Sequence, residues 1–379
     1  MTELLNRLYR LTLLVHCVLF SLVRGKSGII GKPKTIIVVL TGKLGDVVCG
    51  TPVLSALRKH LREVRVVAAG GPILIPLLKD SGLAEEYLNL DSKDFFSQVK
   101  SLKADVALVT GPSFVPTALL YLADIPLVVA PEVLDGESLG DTLPYKILRR
   151  LISTFPYRMG KYAPRERLRA LESLGIIEED TQKHLGFSEN AGQSAVDYFK
   201  NNNLDGKLVV GMAVTAGNKI KEWPEERFAE TANYLVEKHQ AKVIIFGGPE
   251  DRTKIQNTLQ KIKYPESIFS TQGKLNIDEL KAYISKLNLF ISVDTGPIYI
   301  AEAFGVPTVD IVGPMDEREQ PPQGLLHRSV LPPSRVHPEL HILNARHYEE
   351  KEALRQTLSI TPEAVILATD KLIGDILQK

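Results

Sequence analysis

Cysteine is nearly absent from the 379 residues: Cys17 and Cys49 are the only two, far apart and in no metal-ligand or disulfide spacing. A disulfide scaffold and a cysteine-ligated metal centre are excluded, and a reducing compartment is the economical inference. Excess charge is absent too. Lys and Arg number 46 against 45 Asp and Glu, a formal net charge of +1, and no run of basic residues supplies a local exception. Binding of nucleic acid is thereby disfavoured. An unbroken apolar run of membrane-spanning length is also lacking, because Leu4–Val23 is interrupted by Asn6, Arg7, Arg10 and His16. No small-residue cleavage site follows it, so SLVRGKSG reads poorly as a secretory signal.

What is present is an ordinary globular composition, 44% hydrophobic and 24% charged, in a chain long enough for two domains with good cores. A spanning helix needs about 20 apolar residues, whereas an interfacial helix tolerates arginines that snorkel. Residues 1–30 are accordingly expected to form a membrane-surface anchor, with Gly31–Lys34 as linker. A spanning signal anchor and a packed soluble helix remain the alternatives.

A strand–helix rhythm follows. Thr35–Leu40 (TIIVVL) reads as a buried strand, Thr41–Asp46 as a loop, Pro52–Leu61 as a helix and Glu63–Ala68 as the next strand. The rhythm continues to Leu127–Val129 and implies parallel α/β architecture. Residues from about 131 to 205 read as irregular and basic, with an amphipathic helix near Arg165–Leu174, and Asn201–Asn203 with Asp205-Gly206 marks a hinge. Beyond it come the strand Leu208–Ala213, the loop Thr215–Lys221, a helix Pro224–Lys238 and the strand Lys242–Phe246. Thr361 and Pro362 signal the start of a C-terminal helix.

The most informative stretch is ISVDTGPIYIAEAFGVPTVDIVGP, residues 291–314, which reads as strand, phosphate-sized turn, helix and strand. A helix that opens at the carboxyl edge of a parallel sheet offers free backbone N–H groups and a positive dipole end, so an anion, foremost a diphosphate, is expected at Asp294–Pro297. A tight connection without a ligand is the plainer alternative. Two such domains would face one another across a cleft, with the Asp46 carboxylate on one side and Thr215, Lys221 and the DTGP turn on the other.

The segments LTGKLGDVVCGTPVLSALRKHL, KEWPEERFAETANYL, IIFGGPED and SVDTGPIYIAEAFGVPTVDIVGP together resemble glycosyltransferase family nine, the ADP-heptose:lipopolysaccharide heptosyltransferases and their relatives. The resemblance runs from about Thr35 to Gly313, with ITPEAV near Ile360 similar to the family's C-terminal helix. It implies an α/β GT-B fold, two Rossmann-like doubly wound domains: 35–200 for the acceptor and 206–345 for the nucleotide-sugar donor. Residues 346–379 would be C-terminal helices that pack back across the cleft.

Metal-independent inverting transfer is implied as well, with no cofactor beyond a nucleotide-sugar co-substrate, expected to be ADP-heptose. Asp46 matches the family's base, which takes the acceptor hydroxyl proton. Lys221 and Thr215 match phosphate-binding positions, with Lys219 a weaker choice than Lys221, and Thr295, Gly296 and Pro297 match the diphosphate turn. Asp294 is either a ligand or the holder of the loop, and Glu250 is a candidate for the donor ribose hydroxyls. Trp223, the only tryptophan, is expected to anchor the core rather than stack on sugar. Tyr299 stands where many members carry histidine, and Glu302 interrupts the usual small residues of that helix.

The resulting expectation is an inverting glycosyltransferase at the cytoplasmic face of the inner membrane, acting on a lipid-linked envelope saccharide such as lipopolysaccharide core. A nucleotide-sugar epimerase of similar fold and a non-catalytic nucleotide-sugar-binding protein are the alternatives.

Overall fold

The computed structural model describes residues 2–24 and 31–377; residues 25–30, part of the expected anchor segment, lie outside the described residues. The chain divides into two compact units, Met1–His184 and Leu185–Lys379.

The strands of the first unit are β1 (Thr35–Leu40), β2 (Arg65–Gly70), β3 (Glu86–Asn89), β4 (Val106–Val109), β5 (Leu127–Leu134) and β6 (Ser153–Arg158). They form one parallel sheet of order β3-β2-β1-β4-β5-β6. β1 and β4 are continuously apolar and almost wholly buried, as strands covered by helices on both faces must be. The second unit contains β7 (Val209–Ala213), β8 (Lys242–Phe246), β9 (Ile268–Ser270), β10 (Leu289–Val293), β11 (Thr308–Ile311) and β12 (His327–Val330). Its parallel sheet has the order β12-β11-β10-β7-β8-β9. Counted from its own first strand, this is the same 3-2-1-4-5-6 winding. Each unit therefore has one switch point, β1/β4 and β7/β10, where ligands bind in such sheets.

Three differences from the sequence reading concern the units' edges. The hinge was expected at 201–206, but the units divide after His184. Helix Glu189–Asn201, read as irregular, packs on helix Ile277–Ser285 and is pinned by the Asp278 carboxylate, which accepts the Ser188 hydroxyl at 2.6 Å. Its four-residue turns were obscured by scattered polar residues. Second, the basic stretch contains strand β6 and ends in helix Ala163–Leu168, followed by a 3₁₀ segment Arg169–Leu174. Third, helix Pro362–Leu377 is a layer of the second unit itself. Val365, Leu372 and Ile373 enter that unit's core, and the helix packs on helix Glu225–His239, β11 and β12.

Apolar residues decide that placement. Trp223 is fully buried in the same core, edge-on to Phe228 at 5.1 Å, and its indole N–H donates to the Ile360 carbonyl at 2.9 Å. It is the expected anchor, not a sugar platform.

The N-terminal helix, Thr2–Val23, is the one described helix long and apolar enough to cross a membrane, with mean hydropathy 1.2 over Leu4–Val23. It does not stand apart from the first unit. Leu13, Leu14 and Cys17 are buried in that unit's core against helix Phe114–Leu122 and its neighbours.

Candidate active site

In the first unit β1 runs into Thr41-Gly42-Lys43 and then the short helix Leu44–Val48, which carries Asp46 in its first turn. The Lys43 backbone N–H donates to Asp46 Oδ2 at 3.0 Å, which closes the loop. Gly42 has φ +106°, and a Cβ there would lie 2.4 Å from Asp46 Oδ2. Glycine is thus required twice over, by backbone conformation and by the carboxylate against it. The other oxygen, Oδ1, accepts from the Arg167 guanidinium at 3.1 Å, and Arg167 also donates to the Asp46 carbonyl at 2.7 Å. Arg167 is 4% exposed. A fixed carboxylate with part of its surface still open is suited to accept a proton from a ligand hydroxyl.

Arg167 is the site residue that sequence reasoning missed. It stood among the basic residues expected to face a substrate or the other domain. Several of these instead serve their own unit: Lys146 and Arg149 pair with Asp141, and Arg169 pairs with Glu172. No local signal set Arg167 apart from Arg165, Glu166 and Arg169 around it.

In the second unit β7 is followed by Val214 and Thr215, both buried, then by Ala216, Gly217 and a 3₁₀ turn Lys219–Lys221 capped by Asn218. The two lysines go different ways. Lys219 is exposed and pairs with Glu222 at 2.7 Å, whereas Lys221 reaches the neighbouring strand end and pairs with Asp294 Oδ2 at 2.9 Å. Glu222 also accepts from the Ala216 N–H and from Lys254. Burial pushes its carboxyl up, but these hydrogen bonds and charges outweigh it and hold Glu222 below the usual range.

Asp294 is 2% exposed, and its second oxygen accepts the Tyr299 hydroxyl. In this state Asp294 holds the loop, and Tyr299, the departure from the family pattern, is part of the holding. Thr295 is the extended N-cap of helix Gly296–Ala303, with Pro297 in its first turn and no capping bond from the Thr295 side chain. Proline removes a donor where none is needed inside the helix and fixes the entry of the turn.

Behind this pair lies a second buried acid. Asp310 on β11 is 1% exposed, and neither carboxylate oxygen has a hydrogen-bond partner. Burial first, then the charge of Asp294, pushes its carboxyl well above the ordinary value, against the pull of Lys221. Its surroundings therefore favour the protonated form of Asp310.

Glu250 is not brought to this cluster. It follows β8, is exposed, and folds its carboxylate over Gly248, while Asp251 accepts the Gly248 N–H at 2.8 Å. Asp46 lies in the other unit.

Among the described residues one group has the composition of a cation site: Asp316, Glu319 and His341 bring ligand atoms within 4.8 Å of one another. Its acids already have partners. Arg318 takes both oxygens of Asp316, at 2.9 and 2.7 Å, and the Ile342 N–H donates to Glu319 at 2.7 Å. Glu319 and Asp316, 3.5 and 3.6 Å from His341 Nδ1, raise the imidazole above its ordinary value, which disfavours the neutral form that a metal requires. The fit to a metal is poor.

The family model for glycosyltransferase family 9 (heptosyltransferase) matches residues 164–346, a range that contains Arg167, Lys221, the DTGP turn and Asp310. Just under half of the chain thus matches glycosyltransferase family 9. The chain is 21% identical over 279 residues to lipopolysaccharide heptosyltransferase 3 of Escherichia coli K12, which covers 72% of this chain and 80% of that protein. It is 23% identical over 280 residues to lipooligosaccharide heptosyltransferase 2 of Campylobacter jejuni, covering 72% and 79%.

Solved structures agree in fold. A glycosyl transferase family 9 protein from Veillonella parvula superposes with TM-score 0.76 at 20% identity, over 93% of this chain and all of that one. E. coli ADP-heptose lipopolysaccharide heptosyltransferase II gives 0.69 at 16%, over 91% and 99%. With heptosyltransferases as its curated relatives the protein is a glycosyltransferase, with the GT-B-like pair of doubly wound units that the sequence motifs imply.

Proposed function

We propose that this glycosyltransferase moves heptose from an ADP-linked donor to a lipid-linked envelope saccharide such as lipopolysaccharide core, with inversion and without a metal. The observation that carries the reading is the reach of Lys221 from the β7 loop to the DTGP turn at the β7/β10 switch point. A cation placed between two strand ends, beside a helix N-terminus, is what a leaving diphosphate needs.

In the reaction the acceptor hydroxyl oxygen bonds to the anomeric carbon from the face opposite the diphosphate, and its proton passes to an Asp46 oxygen. The bond from anomeric carbon to diphosphate oxygen breaks at the same time, and the charge released on the diphosphate is met by Lys221, the Gly296 N–H and the hydroxyls of Thr215 and Thr295. Lys221 leaves Asp294 to do this. Arg167 orients Asp46. Lys221 and these dipoles supply the positive charge that a divalent cation supplies in metal-dependent transferases. Because the acceptor is lipid-linked, the protein works at the cytoplasmic face of the inner membrane.

The test is calorimetric binding of ADP, UDP, GDP and CMP, with turnover measured on ADP-heptose and a heptose-deficient core acceptor in the presence of EDTA. Selective ADP binding lost in Lys221→Ala, with EDTA-resistant turnover, is the expected result. Preference for UDP or GDP overturns the donor, and EDTA-sensitive turnover overturns metal independence.

A further inference from the structure

The N-terminal helix has two apolar faces, and the first unit covers one of them. Leu13, Leu14 and Cys17 are buried on that face, with Phe20 edge-on to Tyr121 at 5.7 Å. Arg24 locks the end. Its guanidinium donates to the Ile125 carbonyl, stacks 4.6 Å from the Tyr121 ring centre and lies 3.4 Å from Asp124. At 100° per residue, Leu4, Leu8, Leu11, Val15, Leu19 and Leu22 fall in a stripe roughly 160° away from this docked face. All six are exposed, from 48% at Val15 to 77% at Leu22.

The charge pattern says what meets this stripe. No acidic residue occurs from Leu4 to Val23, although Glu3 opens the helix; Arg7 flanks the stripe, and Arg10 lies in the sector of the docked face. On the other flank the polar groups are already satisfied by the helix itself: the Thr12 hydroxyl donates to the Leu8 carbonyl at 3.0 Å and His16 Nδ1 lies 2.7 Å from the Thr12 carbonyl; on the arginine side the Ser21 hydroxyl donates to the Val18 carbonyl at 2.6 Å. Side chains that bond back to their own helix lose little when water is removed.

We propose that the stripe beds into the headgroup layer of an anionic phospholipid bilayer, with the helix in the membrane plane and the first unit fixed beneath it. This deepens the reading that the acceptor is lipid-linked and rests on it. A span is incompatible with the docked face, since Leu13, Leu14, Cys17 and Arg24 are committed to protein along half the helix. An interfacial helix uses both features at once, apolar area for insertion and arginines for the lipid phosphates.

The test is flotation of the full chain with vesicles of phosphatidylglycerol and phosphatidylcholine, against vesicles of phosphatidylcholine alone. The wild type is expected to float with the anionic vesicles and to be released by high salt. The triple variant Leu11→Gln/Val15→Gln/Leu19→Gln is expected to lose vesicle binding by about tenfold or more, and Arg7→Gln/Arg10→Gln by a smaller factor, with ADP binding unchanged in both. Equal flotation of the triple variant overturns the proposal. So does a wild-type dimer that the triple variant dissociates without any vesicle binding, which would assign the stripe to a second copy. Resistance of the wild type to alkaline carbonate extraction overturns it in favour of a span. Failure to bind ADP would count against the transferase reading alone and leave the flotation result standing.

Discussion

The two units share one winding and even one turn, yet they surround that turn with different side chains. After β4 the chain reads Thr110-Gly111-Pro112 before helix Phe114–Leu122; after β10 it reads Thr295-Gly296-Pro297 at the start of helix Gly296–Ala303. In the first unit the protein fills its own turn, since a Cβ on Gly111 would lie 2.3 Å from the Thr41 hydroxyl. In the second, Asp294 precedes the turn and draws in Lys221. The charges are arranged in opposite senses: the first unit holds a partly open acid, Asp46, with a buried arginine, and the second holds a lysine, Lys221, with a buried acid. A shared backbone provides the place, and the ion pair built there decides the chemistry.

Substitutions can break that symmetry on either side. The largest effect is expected from Asp46→Asn, with turnover down by about 10²–10⁴ and ADP affinity unchanged by calorimetry; an equal loss of ADP affinity would move Asp46 from base to donor ligand. Lys221→Ala should abolish measurable ADP binding and also cost about 3 kcal/mol in urea unfolding, because it leaves the buried Asp294 charge without its partner. Adding Asp294→Asn should restore part of that stability but none of the binding. Gly42→Ala should lower turnover while costing about 1–3 kcal/mol, the scale of backbone strain at a left-handed position; the same substitution at the exposed Gly82, also at positive φ but with open space around it, should leave turnover intact.

The smallest effect is a gain. The Asp310 carboxyl is raised above its unfolded value of 3.8 by burial and by Asp294, so its contribution to stability falls as pH rises from that value through the folded one. Asp310→Asn, which has no proton to lose there, should therefore gain on the wild type as pH rises, by roughly 1.4 kcal/mol for each unit of the shift, with no pH-dependent gain at pH 3. Melting temperatures of both forms across pH 3–9 measure it.

The parts of this molecule written in short segments were legible. β1, β4, β8 and β10 fall on the residues where unbroken apolar runs predict them, and GPI, following DT, marks a helix start in sequence as in structure. Motif resemblance also separated Lys221 from Lys219, which composition alone could not do. What depends on distant contacts was not legible. Arg167 meets Asp46 across 121 residues, and no local pattern at either end announces the other. Asp310 read as a polar interruption in a strand; the upward push on its carboxyl follows from burial beside Asp294, a property of packing. Helix Glu189–Asn201 was missed although Ala191, Ala195 and Phe199 recur at the four-residue helical spacing, two of the three being only alanines among polar neighbours.

Cys17 turns the docking of the N-terminal helix into something that can be timed. Its side chain is wholly covered, and burial pushes the thiol up to about 11, so the docked protein presents almost no thiolate to an alkylating reagent. Alkylation must then wait for the helix to lift, and its rate in a Cys49→Ser background reads the opening equilibrium directly. Lipid that grips the opposite face while the protein grips this one should slow that clock, whereas lipid that strips the helix away should speed it.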